Sequence, residues 1–202
     1  MDLNETVSLV LQIIGGVLYL LNKMFFARYE WLVLRRRQQE ASRALVLGWW
    51  TYIAGLLPWV VVFASWRNWI AALLELSALP SMVIGLRAAR QIGTRVATPR
   101  LIDHIANICI VLGIALSFRD LGVMEQFTQW LEIGLVVGFL AGTYQLAHQR
   151  ISGYWWLVFM HVSCAWLMYE QHSPWLVAHQ ILSIGFVAFA IRIRQLRKQM
   201  VW

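Results

Sequence analysis

Charged residues are scarce in this sequence. Asp, Glu, Lys and Arg together make up 13% of its 202 residues, whereas soluble domains carry about 25%. Hydrophobic residues make up 60%, and twelve residues are Trp. A soluble globule of this size would have too little polar surface to face water. Lipid can face apolar side chains directly, so the composition excludes an ordinary soluble domain and predicts an integral membrane protein.

The sequence also has little that could hold a metal ion or carry out catalysis. Its two cysteines, Cys109 and Cys164, lie in apolar stretches, where a thiol behaves as a small hydrophobic group. No CxxC pair and no Cys/His metal spacing is present. GxSxG, HExxH and Walker motifs are missing, and so are paired carboxylates. We therefore expect no metal, no cofactor and no enzymatic activity.

Acidic residues are fewer than basic ones, which gives a net charge of +7. The bases lie between apolar runs instead of forming a continuous basic segment. Anionic lipid headgroups and membrane topology explain this distribution better than nucleic acid does. We expect membrane lipids as partners and no nucleic acid, and the sequence leaves open whether the chain forms a homo-oligomer.

Seven apolar stretches have about the length that a membrane helix needs, which is roughly 20 residues. They run approximately over 7–26, 44–64, 68–88, 101–118, 127–147, 153–170 and 173–193. Asp2 and Glu5 precede the first stretch, whereas a signal peptide has a basic start. The first stretch is therefore predicted to be a retained helix.

The positions of the basic residues give an orientation. If the seven spans alternate, fifteen of the seventeen Lys and Arg fall on one side, provided that Lys23 is counted as an end residue of the first span. Only Arg67 and Arg119 lie on the other side. Because basic loops stay in the cytoplasm, the pattern predicts an outside amino terminus and a cytoplasmic carboxyl terminus in the inner (plasma) membrane.

Two parts of the sequence resemble each other. Gly48-Trp49-Trp50 matches Gly153-Tyr154-Trp155 at an offset of 105, and Trp69-Ile70-Ala71-Ala72 matches Trp175-Leu176-Val177-Ala178 at an offset of 106. The similarity predicts one transmembrane domain over 1–202, with a first three-helix repeat over about 7–90 and a second over about 127–198. A linker helix over about 101–118 joins them, which makes the two copies parallel, as in some transporters.

This all-α 3+1+3 plan resembles the SWEET-like architecture. The second half is similar to the nicotinamide riboside transporter (PnuC) family of bacterial vitamin transporters, on the stretch from Gly153-Tyr154-Trp155-Trp156 to Trp175, Gln180-Ile181-Leu182-Ser183-Ile184-Gly185 and the basic tail. The resemblance implies passive transport of a vitamin or nucleoside-like small molecule, nicotinamide riboside or a related compound.

Polar side chains near the middle of a span are costly, so they face protein or water. Glu75 lies in the third span, His161 in the sixth, and His179 and Gln180 in the seventh. With the offset of 105, Gln180 is the repeat mate of Glu75. We expect these four to bind substrate between the two repeats, although hydrogen bonding between helices would also explain each of them.

Trp50 and Trp156 follow the repeat in the second and sixth spans. Either ring could stack on an aromatic substrate or lie at the membrane interface. The sequence thus leaves two functions open, a small-molecule transporter and a non-transporting protein such as an assembly factor or a subunit of a membrane complex. In the second case the polar residues would pair singly, with no cavity between them.

Overall fold

The structure is a computed structural model that describes residues 4–90, 100–122 and 126–200. These residues form eight α-helices and no strand. The helices are α1 (Glu5–Leu34), α2 (Gln38–Ser65), α3 (Trp69–Ser77), α4 (Leu79–Arg90), α5 (Arg100–Leu121), α6 (Phe127–Ala147), α7 (Ser152–Glu170) and α8 (Pro174–Gln199).

Six helical stretches are long and apolar enough to cross a membrane, namely α1, α2, α3 together with α4, α5 up to Arg119, α6 and α8. The chain is therefore an all-α, multi-pass membrane protein. The sixth predicted span corresponds to α7, which has 19 residues and is not among the six. Its Trp, Tyr and His side chains make it less apolar than the others.

The first two helices are longer than their apolar stretches. α1 continues to Leu34 and α2 begins at Gln38, so the connector is 35–37 and not the whole interval 27–43 between the first two predicted stretches. Hydropathy marks only the apolar part of a helix, whereas Ala, Leu, Arg, Gln and Glu beyond it are good helix formers. After the third predicted stretch, α4 ends at Arg90 and α5 begins at Arg100; residues 91–99 between them lie outside the described residues.

The third span is divided into two helices. α3 ends at Ser77, and α4 begins at Leu79, immediately before Pro80. Proline has no N–H to donate to a carbonyl one turn earlier, which interrupts a helix. Pro58, by contrast, lies inside α2 without ending it.

The helices pack in a ring whose order is α1, α2, α3/α4, α6, α7 and α8, with α8 returning to α1. α5 lies beside this ring, against α3, α4 and α6. α1 and α8 are parallel, because His179 contacts Gly16 near their starts and Arg194 contacts Glu30 near their ends.

Glycines allow the closest helix contacts. At Gly138 of α6 an added Cβ would meet the Met160 backbone nitrogen at 2.9 Å, and at Gly142 the Gly153 oxygen at 3.3 Å. Gly138 and Gly142 have GxxxG spacing, which is typical of close helix–helix contacts.

An aromatic layer crosses the centre of the ring. Phe26, Trp49 and Tyr52 are buried, and the rings of Trp49 and Tyr52 stack with centroids 6.1 Å apart. Tyr52 also contacts the rings of Tyr19 and Phe139 and hydrogen-bonds the Thr143 hydroxyl at 2.9 Å. We call the end of the ring that carries connectors 35–37 and 148–151 the basic end, and the end that carries connectors 66–68 and 171–173 the opposite end.

Candidate functional site

A cavity of about 250 Å³ lies inside the ring, between the aromatic layer and the opposite end. All the ring spans contribute to its wall. The lining residues are Gly16, Tyr19 and Lys23 of α1; Trp59 and Phe63 of α2; Ala71, Leu74 and Glu75 of α3; Leu135, Val136, Phe139 and Leu140 of α6; Met160, His161, Cys164 and Met168 of α7; and Leu176, His179 and Gln180 of α8.

The lining has an internal regularity. Five lining residues of α2 and α3 have a lining partner in α7 and α8 at the same sequence offset of 105. The pairs are Trp59 with Cys164, Phe63 with Met168, Ala71 with Leu176, Leu74 with His179, and Glu75 with Gln180. The lining positions of the second and third helices thus correspond between the two halves of the ring at an offset of 105, whereas the segments that begin at Trp69 and Trp175 match at 106.

Four of the six predicted site residues line this cavity together: Glu75, His161, His179 and Gln180. The structure does not bring Trp156 or Trp50 to it. Trp156 is half-buried and packs against Phe159. Trp50 is 47% exposed, and the Arg90 guanidinium lies 5.6 Å from its ring.

Glu75 and Lys23 bring opposite charges to the same wall. The Tyr19 hydroxyl donates a hydrogen bond of 2.6 Å to Glu75 Oε2. The Lys23 ammonium lies over two aromatic faces, 4.5 Å from the centroid of Tyr52 and 5.2 Å from that of Tyr19. Tyr19 therefore connects the carboxyl group and the ammonium group across the cavity wall.

Two histidines are fixed by their neighbours. His161 Nδ1 lies 2.6 Å from Gln180 Oε1, which joins α7 to α8. His179 Nε2 lies 2.8 Å from the Gly16 carbonyl oxygen, which joins α8 to α1. Each ring is thereby oriented, and its second nitrogen is buried and has no hydrogen-bond partner within the described residues.

Sequence reasoning missed Lys23 as a lining residue. It was predicted at the end of the first span, but it is only 3% exposed and lies well inside α1. The available signal was spacing: Gly16, Tyr19 and Lys23 recur at intervals of three and four and so share one helix face.

A second buried polar cluster, also missed, lies near the basic end. The Glu30 side chain is completely buried, and its carboxylate contacts the guanidinium groups of Arg194 at 3.1 Å and Arg197 at 3.4 Å. The Tyr154 hydroxyl donates to Glu30 at 3.2 Å, and Arg194 also donates to the Gln149 carbonyl oxygen. We call these five residues the Glu30 cluster; it ties α1 to α7, α8 and the α6–α7 connector.

The described residues include no group of three or more His, Cys, Asp or Glu placed to hold a metal ion. No family model matches the chain, and neither a curated protein nor a solved structure matches it. The resemblance to the PnuC family therefore stays a prediction from the sequence motifs.

Proposed function

We propose that this protein is a membrane transporter that moves a vitamin or nucleoside-like small molecule by facilitated diffusion. Two three-helix units, α1–α4 and α6–α8, rock against each other around the cavity, and α5 links them. In this proposal α7 is a seventh span, the amino terminus is outside, and the basic end faces the cytoplasm.

One observation carries the proposal: both units contribute equivalent positions to one cavity that holds a few polar side chains. The five pairs at offset 105 and the pairing of Glu75 with Gln180 are what two parallel repeats facing a common site would produce. If the polar residues served only to pack helices, they would pair singly with no space between them. Each of these side chains does pair with a neighbouring helix, but Glu75, His161, His179 and Gln180 also border the same cavity of about 250 Å³.

Helix packing supports a membrane-spanning α7. This helix lies between α6 and α8, and its Gly153 and His161 contact those neighbours near its start and middle. The outer side of α7 is apolar, with Trp155, Phe159, Val162 and Trp166 each about half exposed, as expected of a helix that contacts lipid.

The Glu30 cluster and the aromatic layer supply a closed gate. Both lie between the cavity and the basic end, and Glu30 with Arg194 joins the first unit to the second. Alternating access then requires the Glu30 cluster to separate when the cavity opens toward the basic end.

Cys164 provides a test that needs no known substrate, because its thiol lines the cavity. In a Cys109→Ser background, a transporter exposes Cys164 in turn to a membrane-impermeant thiol reagent added to either face. Labelling from both faces is expected. Labelling from one face or neither would favour the alternative, a non-transporting assembly factor or complex subunit.

Uptake into proteoliposomes tests the site itself. Glu75→Ala and His161→Ala are each expected to lower uptake of a transported vitamin or nucleoside at least about tenfold, since each removes a buried polar partner. Glu5→Ala and His104→Ala make the same changes at exposed positions and serve as controls. Wild-type uptake by both cavity variants would show that the proposed site is wrong.

A further inference from the structure

A groove on the outer surface of the ring follows the contact between α1 and α8. Its volume is about 720 Å³, and apolar side chains of both helices line it, among them Met24, Leu182 and Phe189. Leu182 is 56% exposed and Phe189 is 46% exposed. A Cβ added to Gly185, which also lines the groove, would meet no atom within 4 Å. The groove therefore has room for an apolar chain that lies along the two helices.

The equivalent contact on the other side of the ring is covered by a helix. There the third span packs on α6, as α8 packs on α1, and α5 packs against both. A Cβ added to Gly113 of α5 would lie 3.0 Å from the Ser77 hydroxyl oxygen and 2.9 Å from the Leu140 side chain of α6. At the offset of 105, Ser77 corresponds to Leu182 of the groove. The groove is thus the counterpart of a surface that α5 covers, and no helix of the described residues covers the groove.

Two arginines lie at the part of the groove that is nearest the basic end. Arg28 lines the groove and is exposed. The hydrogen bonds between α1 and α8 set the register of these helices, which places Arg192 level with Arg28. Arg192 is also exposed and follows Gly185 by seven residues, or about two helical turns, so both share one face of α8. Neither arginine has a hydrogen-bond or ion-pair partner within the described residues.

The neighbouring charges leave these two arginines without a counterion. Glu30 is the acid nearest to Arg28 along α1, but it is buried and already contacts two other arginines. α8 contains no Asp or Glu. Arg35 adds a further guanidinium, which lies 5.5 Å from the ring of Trp31 in the groove. This part of the groove is therefore basic, and its complement is an anion.

The position of the arginines indicates which anion fits. Arg28 lies six residues before the end of α1 at Leu34, which is about 9 Å along a helix. An arginine at this depth extends its guanidinium toward the lipid headgroups. Basic pockets between transmembrane helices bind anionic headgroups, and a guanidinium group binds phosphate oxygens in pairs. An anion that is joined to an apolar chain satisfies both parts of the groove.

We infer that the groove binds an anionic phospholipid from the leaflet at the basic end. One acyl chain lies between α1 and α8, in the position that α5 occupies at the equivalent contact, and Arg28 and Arg192 bind the headgroup phosphate. This site goes beyond the proposed function, because lipid binding requires neither a solute nor transport.

Native mass spectrometry of the purified, delipidated protein, titrated with one lipid at a time, measures this binding. Dioleoyl phosphatidylglycerol is expected to bind at least about tenfold more tightly than dioleoyl phosphatidylcholine, which has the same chains but no net charge. The double variant Arg28→Gln/Arg192→Gln should lose most of this preference. Arg43→Gln/Arg87→Gln removes the same charge at exposed positions that do not line the groove, and it should retain the preference.

A second variant tests the acyl chain independently of the charge. Gly185→Trp places an indole in the open space of the groove, so it should weaken phosphatidylglycerol binding at least about tenfold while both arginines remain. Val111→Trp adds an indole to α5, at a position that is 65% exposed, and should leave binding unchanged. Size-exclusion chromatography checks that each variant is folded.

Three results would overturn the inference. The first is equal affinity for the two lipids, or a preference that survives in Arg28→Gln/Arg192→Gln. The second is unchanged phosphatidylglycerol binding by Gly185→Trp, because the anion would then bind without a chain in the groove. The third is an oligomer that persists without lipid and dissociates in Gly185→Trp, because a second copy of the chain would then occupy the groove.

Discussion

At the scale of single residues, the interior is fitted closely around its aromatic side chains. Trp49 is 1% exposed and lies against Gly85 of α4, where an added Cβ would come within 2.2 Å of the indole ring. Gly185 of α8, in contrast, has no atom within 4 Å of the same position. A side chain larger than that of glycine would therefore clash at position 85 but not at position 185.

This contrast predicts opposite effects of one substitution. Gly85→Ala is expected to destabilise the fold by about 1–3 kcal/mol, because the buried indole ring cannot retreat without disturbing its neighbours. Gly185→Ala is the matched control and should be neutral or stabilising by up to about 1 kcal/mol, since alanine favours a helix. Thermal unfolding in detergent measures both, and an equally stable Gly85→Ala would contradict the packing described for Trp49.

At the scale of elements, buried charge joins helices that are distant in sequence. Glu30 of α1 meets Arg194 and Arg197 of α8 with its side chain fully buried. The Arg37–Glu40 pair is an exposed contact within three residues. Removing one partner of a buried ion pair leaves the other charge buried without a partner, which lowers the free energy of unfolding by about 3–5 kcal/mol. An exposed pair contributes only about 0–1 kcal/mol.

We expect Glu30→Gln to loosen the basic end. Removing the negative charge weakens the attraction between the units, so Cys164 should react several-fold faster with a thiol reagent added on the basic-end face. Glu40→Gln makes the same change at the exposed pair and should leave the rate unaltered. An unchanged rate in Glu30→Gln would mean that the Glu30 cluster stabilises the fold without gating the cavity.

At the scale of the whole molecule, the ring is built so that its two halves make equivalent contacts. In the first half, α2 packs between α1 and the third span (α3 and α4). In the second half, α7 packs in the same way between α6 and α8. The third span packs on α6 as α8 packs on α1. This cyclic order leaves the cavity where both halves of the ring meet.

The number of spans has a direct consequence for the ends of the chain. Seven spans put residues 1 and 202 on opposite faces of the membrane, whereas six would put them on the same face. Reporters fused to each end should therefore give opposite sidedness, with the carboxyl-terminal one cytoplasmic because the basic residues concentrate at that end. If both reporters lie on the same side of the membrane, α7 does not span it.

Much of this architecture could be predicted from local sequence. Each apolar stretch matches a helical element, and Pro80 lies at the one break within a predicted span. Glu75, His161, His179 and Gln180 could be selected because a polar group at membrane depth needs a partner. The sequence could not show that Trp50 and Trp156 lie away from the cavity. An indole suits a membrane interface, a protein core and a binding site equally well.

The helical, membrane-embedded character of the chain follows from its sequence alone, because composition and the length of apolar stretches act locally. The orientation predicted from the basic residues counts Lys23 at the end of a span, whereas Lys23 is buried inside α1. That Lys23 lines the cavity and that Glu30 meets Arg194 emerges only when the helices are packed together. The rotation of each helix about its axis, and the partner that a polar side chain finds more than a hundred residues away, depend on how all the helices pack at once.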